Sequence, residues 1–117
     1  MSPRFGIRIP RARVVVLDLA GDLRGDARDD LEAAYADAAS RSPQAVVLNL
    51  SGVDYIDSTG IALLVDLLAR TRRDGRELCT YGLSDHYREI FAITRLSEFI
   101  HVYDDESSAV GDLPVGT

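Results

Sequence analysis

Between Ala45 and Leu50 the chain reads AVVLNL, apolar at neighbouring positions rather than at alternate ones. A strand with one wet face alternates, so a run of this kind needs cover on both faces, as in the interior of a sheet flanked by helices. A short polar turn, Asp57-Ser58-Thr59-Gly60, follows. The pattern then becomes helical through TGIALLVDLLARTRRD to Gly75, whose missing Cβ suits the left-handed residue after a helix. A covered strand feeding an apolar helix is the repeating unit of α/β domains, and most other architectures have no place for it.

The rest of the chain repeats that alternation. Phe5, Ile7 and Ile9 point one way, and VVVLDL over 14–19 follows a turn at Pro10-Arg11-Ala12, so the two segments read as an antiparallel hairpin at a sheet edge. From Asp26 to about Ser40, Ala27, Leu31, Ala34 and Ala38 share a helical stripe. Acidic residues load the first turns of this helix, Arg41 sits at its end, and Ser42-Pro43 stops it. Glu77 to Tyr81 is a third core strand carrying Cys79, which reads as a small core residue. Ser84 caps a helix to about Thr94 with Tyr87, Ile90, Phe91 and Thr94 on its inner face, Ile100 to Tyr103 is a short last strand, and Asp104-Asp105-Glu106 opens a final helical turn. The expected fold is one α/β domain over residues 1–117: a mostly parallel sheet, an N-terminal antiparallel hairpin, and helices packed against it. The core spans about 5–110, and 111–117 reads as a flexible tail.

Composition removes several functions. A chain of 117 residues has room for one core without disulfides or metal. The net charge of −6 argues against nucleic acid and against an anionic membrane surface. No segment reaches the ~20 apolar residues that span a bilayer, so no membrane insertion is expected. One cysteine cannot form an internal disulfide, which suits a reducing compartment, and the chain reads as cytoplasmic. It has thirteen Arg and no Lys. That excludes the Gly-Lys-Ser/Thr phosphate loop, Schiff-base chemistry, and the lysine that a response-regulator receiver uses beside its aspartate.

In open α/β sheets, sites gather beyond the carboxyl ends of strands, where Asp57 to Gly60 falls. Asp, Ser and Thr are preferred helix caps, and Gly60 lets the turn pass close to the sheet. A serine nucleophile needs a base; only His86 and His101 exist, and Ser58 lies outside any Gly-x-Ser-x-Gly setting. Asp22, Asp54 and Asp57 lack the fixed spacing of a metal site, so neither metal nor cofactor is expected. Modification of Ser58 is the third use of the turn. Helix-dipole stabilisation of ~0.3–1 kcal/mol opposes repulsion from Asp57, which is ~4–5 kcal/mol at an effective dielectric of ~20 and near 1 in water. At an exposed turn these roughly cancel, so the domain tolerates the phosphate while a docked partner meets a new double charge. Apolar residues of the following helix spread over ~240°, more than a sheet alone covers. Leu63, beside Asp66 and Arg70, is therefore either partly exposed for docking or covered by a neighbouring helix.

With these residues in view, the chain resembles a STAS domain (sulfate transporter and anti-sigma factor antagonist), above all the stand-alone bacterial antagonists of anti-sigma factors. The resemblance rests on VVLNLSGVDYIDSTGIALLV, on LSDHYREIFAITRLSEFIHVYDDESSAV and on VVVLDLAGDL, taken as an ordered set over about residues 5–110. It implies a non-catalytic regulator. In that family a serine/threonine kinase that also sequesters a sigma factor phosphorylates the serine after the aspartate, here Ser58. The phosphorylated antagonist releases the kinase, and a metal-dependent phosphoserine phosphatase restores it. Thr59 then corresponds to a neighbouring hydroxyl. The implied partner-binding set is Asp22, Arg24, Asp57, Ser58, Thr59, Gly60, Leu63, Asp66 and Leu67. One departure stands out. Many antagonists carry Asp after Gly-x-Leu, whereas Gly21-Asp22-Leu23 is followed here by Arg24; a reversed charge at an interface weakens the usual partner or marks a different one. Two other uses of the fold stay open: a constitutive docking subunit of a membrane transport ATPase complex, and a small-ligand or nucleotide sensor.

Overall fold

The structure, a computed structural model, describes residues 4–112. Its elements are β1 (Arg4–Arg11), β2 (Val14–Leu23), α1 (Arg28–Ala39), β3 (Ala45–Ile56), α2 (Ser58–Arg73), β4 (Glu77–Tyr81), α3 (Asp85–Ile93), β5 (His101–Tyr103) and α4 (Glu106–Asp112), with 3-10 turns at Gly25–Ala27 and Leu96–Glu98. The sheet order is β1-β2-β3-β4-β5. β1 runs antiparallel to β2, and the other neighbours are parallel. This is the α/β fold with an N-terminal hairpin expected from the strand–helix alternation.

Period-two alternation divides the sheet into two faces. Val15, Leu17 and Leu19 of β2 and Val46, Leu48 and Leu50 of β3 pack under α1, α2 and α3, through Leu31 and Tyr35, Leu63, Leu64 and Leu67, and Tyr87 and Phe91. Val14, Val16, Val47, Cys79 and Tyr81 face the other way and are closed off by Ala109 of α4. Both faces of β2 and β3 are thus covered, which is why AVVLNL does not alternate.

On the α4 face Arg8 ties three elements together. Its Nη2 donates to Asp18 Oδ1 at 2.7 Å and to Glu106 Oε1 at 2.6 Å, and the Tyr81 hydroxyl donates to the same Glu106 oxygen at 2.7 Å. Arg8 holds both carboxyls below the usual range, and burial pushes the Tyr81 phenol up to about 12.

The structure corrects several sequence expectations. β3 continues past Leu50 to Ile56, and β2 past Leu19 to Leu23, because two register shifts, between Asp18 and Ala20 and between Gly21 and Asp22, each take up one extra residue of β3 without ending the ladder. Ile9 is half exposed, since β1 slips register between Arg8 and Arg11. The hairpin turns at Ala12-Arg13 rather than at Pro10. Thr94 is the exposed C-cap of α3, its hydroxyl donating to the Ile90 carbonyl at 2.7 Å. Gly111 and Asp112 complete α4 instead of opening a tail; the rest of the expected tail, 113–117, lies outside the described residues.

Candidate functional site

The register shifts carry β2 and β3 to a common end, with Asp22 beside Tyr55 and Leu23 beside Ile56. Two bonds then fix the turn. The Asp57 N–H donates to the Leu23 carbonyl at 3.2 Å, and the Ile56 N–H donates to the Tyr87 hydroxyl at 2.8 Å. Asp57 itself is extended, and its Oδ1 accepts from the Gly60 N–H at 2.7 Å. The aspartate is therefore the N-cap, satisfying a donor that the helix start leaves unpaired. Ser58 and Thr59 open the helix and are exposed. The Ser58 hydroxyl has no hydrogen-bond partner among the described residues.

Gly60 is buried for a steric reason. A Cβ there would lie 2.1 Å from the Leu23 carbonyl oxygen and 2.8 Å from Ile56 Cγ2. The first turn of α2 rests directly on the β2 backbone, and only glycine permits that approach. Gly25 has a similar relation to Thr59, whose Cγ2 is 3.2 Å from the place a Cβ would take.

Arg24 follows Leu23 along this rim. Its guanidinium carbon sits 4.7 Å from the Tyr55 ring centroid, and its Nε is 3.5 Å from Asp22 Oδ2. Asp22, Arg24, Tyr55, Asp57, Ser58 and Thr59 thus share one surface at the carboxyl ends of β2 and β3. Asp66 lies two turns down α2, paired with Arg28 at 3.2 Å. Both side chains are about half exposed, so the pair contributes little.

Leu63 and Leu67 do not belong to this surface. Each is 3 % exposed, and the cleft between α1 and α2 is lined by both with Leu31 and Arg28. Of the two alternatives left open for Leu63, partial exposure is ruled out: α1 covers it, and the two leucines seat α2. The outward positions of the helix are Ala62, Val65, Asp66 and Ala69. That cleft encloses about 20 Å³, room for about one water.

The sequence reading missed Tyr55 and the hydroxyl of Tyr87 as site residues. An aromatic at an outward position next to the turn was a usable signal for Tyr55. Nothing local marked the reach of Tyr87 from α3. Asp54 is exposed, and no group of three His, Cys, Asp or Glu able to hold a metal occurs among the described residues. His86 packs on Tyr87 and His101 on Tyr103, and neither bonds to Ser58. No helix among the described residues is long and apolar enough to cross a membrane.

A family model described as "Mlab, STAS domain" matches residues 7–102, and the chain belongs to the STAS domain family. Among curated relatives it is 39% identical over 57 residues to the anti-sigma-B factor antagonist of Staphylococcus aureus (strain NCTC 8325 / PS 47), a match covering 49% of this chain and 53% of that protein. The match to the anti-sigma-B factor antagonist of Listeria monocytogenes is 35% over 65 residues, 56% of this chain and 57% of that one. The chain thus spans a little over half the length of the curated relatives it matches. A solved structure of a putative anti-sigma factor antagonist from Thermotoga maritima superposes with a TM-score of 0.81 at 20% identity, covering 95% of both chains. The antagonist SpoIIAA in its unphosphorylated form superposes at 0.71 and 17% identity, covering 93% of this chain and 96% of that one. At such identities these two structures speak for the fold.

Proposed function

We propose that this protein is a non-catalytic anti-sigma factor antagonist. It binds an anti-sigma factor serine kinase through the surface around Ser58 and is switched off by phosphorylation of that residue. One observation carries the reading: Ser58 is exposed on the first turn of α2 with an unbonded hydroxyl, because Asp57 supplies the cap. A capping serine would have its oxygen committed to the backbone; this one is free to enter a kinase. The antagonists among its relatives support the assignment.

The switch is electrostatic. A phosphate adds about −1.5 to −2 charge at neutral pH next to Asp57, on a surface that also carries Asp22 and its ion-pair partner Arg24. The fold tolerates it, since Ser58 is solvated and at a helix start. A partner that desolvates the turn does not. Asp22, Arg24, Asp57, Ser58, Thr59 and Asp66 form the docking surface, with Gly60, Leu63 and Leu67 holding it in place from beneath. The partners are the kinase and a phosphoserine phosphatase, and the setting is the cytoplasm.

The test is phosphopeptide mapping of the protein from its own cells, resting and stressed, together with calorimetry of kinase binding. Condition-dependent occupancy at Ser58, and binding weakened at least about tenfold in Ser58→Asp, are expected. No phosphate at Ser58 in any condition, with Ser58→Asp binding like the parent, sinks the proposal. That outcome favours a constitutive docking subunit of a membrane transport ATPase complex, the reading to which Arg24, already engaged by Tyr55 and Asp22, also lends itself.

A further inference from the structure

Two of the large exposed apolar side chains, Val65 and Phe99, line one groove beside α2. Between α2 and the Leu96–Glu98 turn runs an apolar groove. Val65, Leu68 and Ala69 form one wall, and Leu96 and Phe99 the other. A second depression, reaching Gly75 and Leu78, shares Leu68, Arg72 and Phe99 with the first. Together they make a trough along α2 from Val65 to Gly75, about 15 Å at the helical rise.

The charge around this trough runs against that of the molecule. The chain carries a net −6, yet Arg72 leans over Phe99 with its guanidinium carbon 5.5 Å from the ring centroid. No ion pair engages Arg72 among the described residues. Arg73 follows it in the sequence, Arg76 (paired with Asp74 at 2.9 Å) and Glu77 line the second depression, and Arg95 lines the first, opposed by Glu98 at 3.5 Å.

We propose that this trough is a second docking site, and that it receives an acidic amphipathic helix of a partner protein. Apolar anchors at i, i+3 or i+4 and i+7 match a groove that itself follows one face of α2. Acidic residues flanking those anchors meet Arg72, Arg73 and Arg95. A second copy of this chain does not supply such a helix. Among the described residues, its acidic α1 presents outward only Ala33 and Ala36 between its charges, with no large apolar anchor, and its acidic α4 has seven residues, too few for anchors from i to i+7. An anionic membrane is disfavoured by the −6 charge of the whole domain. Arg72 lies fourteen residues beyond Ser58 on the same helix, about 21 Å away, so both sites can be occupied together.

The probe is a capped peptide of about four helical turns with leucines at i, i+3 and i+7 and glutamates elsewhere on its flanks. A twin carries lysine for glutamate. Binding to the intact protein is followed by two-dimensional amide NMR. The acidic peptide is expected to shift Val65, Ala69, Arg72 and Phe99 and to bind at least about tenfold tighter than its twin. Arg72→Glu and Phe99→Ser, each checked for native amide dispersion, should weaken it about tenfold or more, while Ser58→Asp leaves it unchanged. Absence of binding, equal binding of the lysine twin, or shifts mapping elsewhere overturns the proposal. So does loss of the trough signals to self-association on concentration, or to vesicles of phosphatidylglycerol and phosphatidylcholine, without a response to the peptide.

Discussion

Gly60→Ala isolates the contact that seats α2 on the sheet. The added methyl would lie 2.1 Å from the Leu23 carbonyl oxygen, 2.8 Å from Ile56 Cγ2 and 3.0 Å from the Leu23 carbonyl carbon. Two of these three obstacles are backbone, and Leu23 is already bonded to the Asp57 N–H. The helix start must therefore move by about an ångström or more, so the cost lies at or above the upper end of the ~1–3 kcal/mol typical of overpacking. Strain on the Asp57–Leu23 hydrogen bond adds ~1 kcal/mol, and alanine's better helix propensity returns ~1 kcal/mol. The net destabilisation is ~3 kcal/mol, which at ~2.1 cal/mol/K per residue lowers Tm by about 12 °C for a chain of this length. Gly75→Ala is the control. Gly75 has φ of +74° and no atom within 4 Å of a Cβ, so it tests backbone conformation without crowding and costs ~1–2 kcal/mol. Differential scanning calorimetry with urea titration measures both. If Gly60→Ala melts higher than Gly75→Ala, or with the parent, crowding against β2 is not what requires glycine in the turn.

Leu63→Ala is expected to cost ~2–5 kcal/mol, as a buried leucine does, and urea midpoints will show it; an effect on partner binding at unchanged stability would return Leu63 to the surface. Asp57→Ala removes the cap and should destabilise by ~1 kcal/mol, read by the same titration, with a larger loss pointing to further roles for the carboxylate. The Arg8 clamp sets an acid limit. Hydrogen bonds from Arg8 hold Asp18 and Glu106 below their unfolded values, so their contribution is present above ~4–5 and disappears as pH falls through the lowered folded values. The groups are about one-third to one-half exposed, so solvent screening keeps the effect to ~1 kcal/mol. Arg8→Gln should flatten the acid limb of a plot of stability against pH and speed hydrogen exchange in α4; an unchanged limb would mean that other carboxylates set it.

What the sequence displayed and what it hid divide along local and non-local lines. AVVLNL announced a strand covered on both sides, Ser84 announced the start of α3, and Glu77 to Tyr81 announced β4, because propensity, pattern and capping act within a few residues. The fate of Leu63 was not local. A helix arc of ~240° shows that more than a sheet must cover α2, but not that α1 is the cover; that follows from Leu31 and Leu63 meeting across the cleft. The strand ends were hidden for another reason. Gly21 and Ser51-Gly52 carry the residues of turns, and only pairing of Ala20 with Gly52 and of Gly21 with Val53, with one extra β3 residue taken up before and after, keeps them inside a continuing ladder. The same shifts place Tyr55 beside Asp22 and under Arg24.

The Asp57 to Gly60 turn was visible as a motif, but its chemistry was ambiguous because three of its four residues are able to cap a helix. The structure separates their roles. Asp57 takes the backbone donor, Gly60 takes the contact with β2, and the cost of starting α2 is met without either hydroxyl. Had Ser58 been the cap, phosphorylation would have removed a structural hydrogen bond and coupled signalling to unfolding. With the aspartate one position earlier, the serine hydroxyl has no structural duty. If Ser58 is modified as proposed, the charge is added and removed while the turn and the start of α2 stay folded around it.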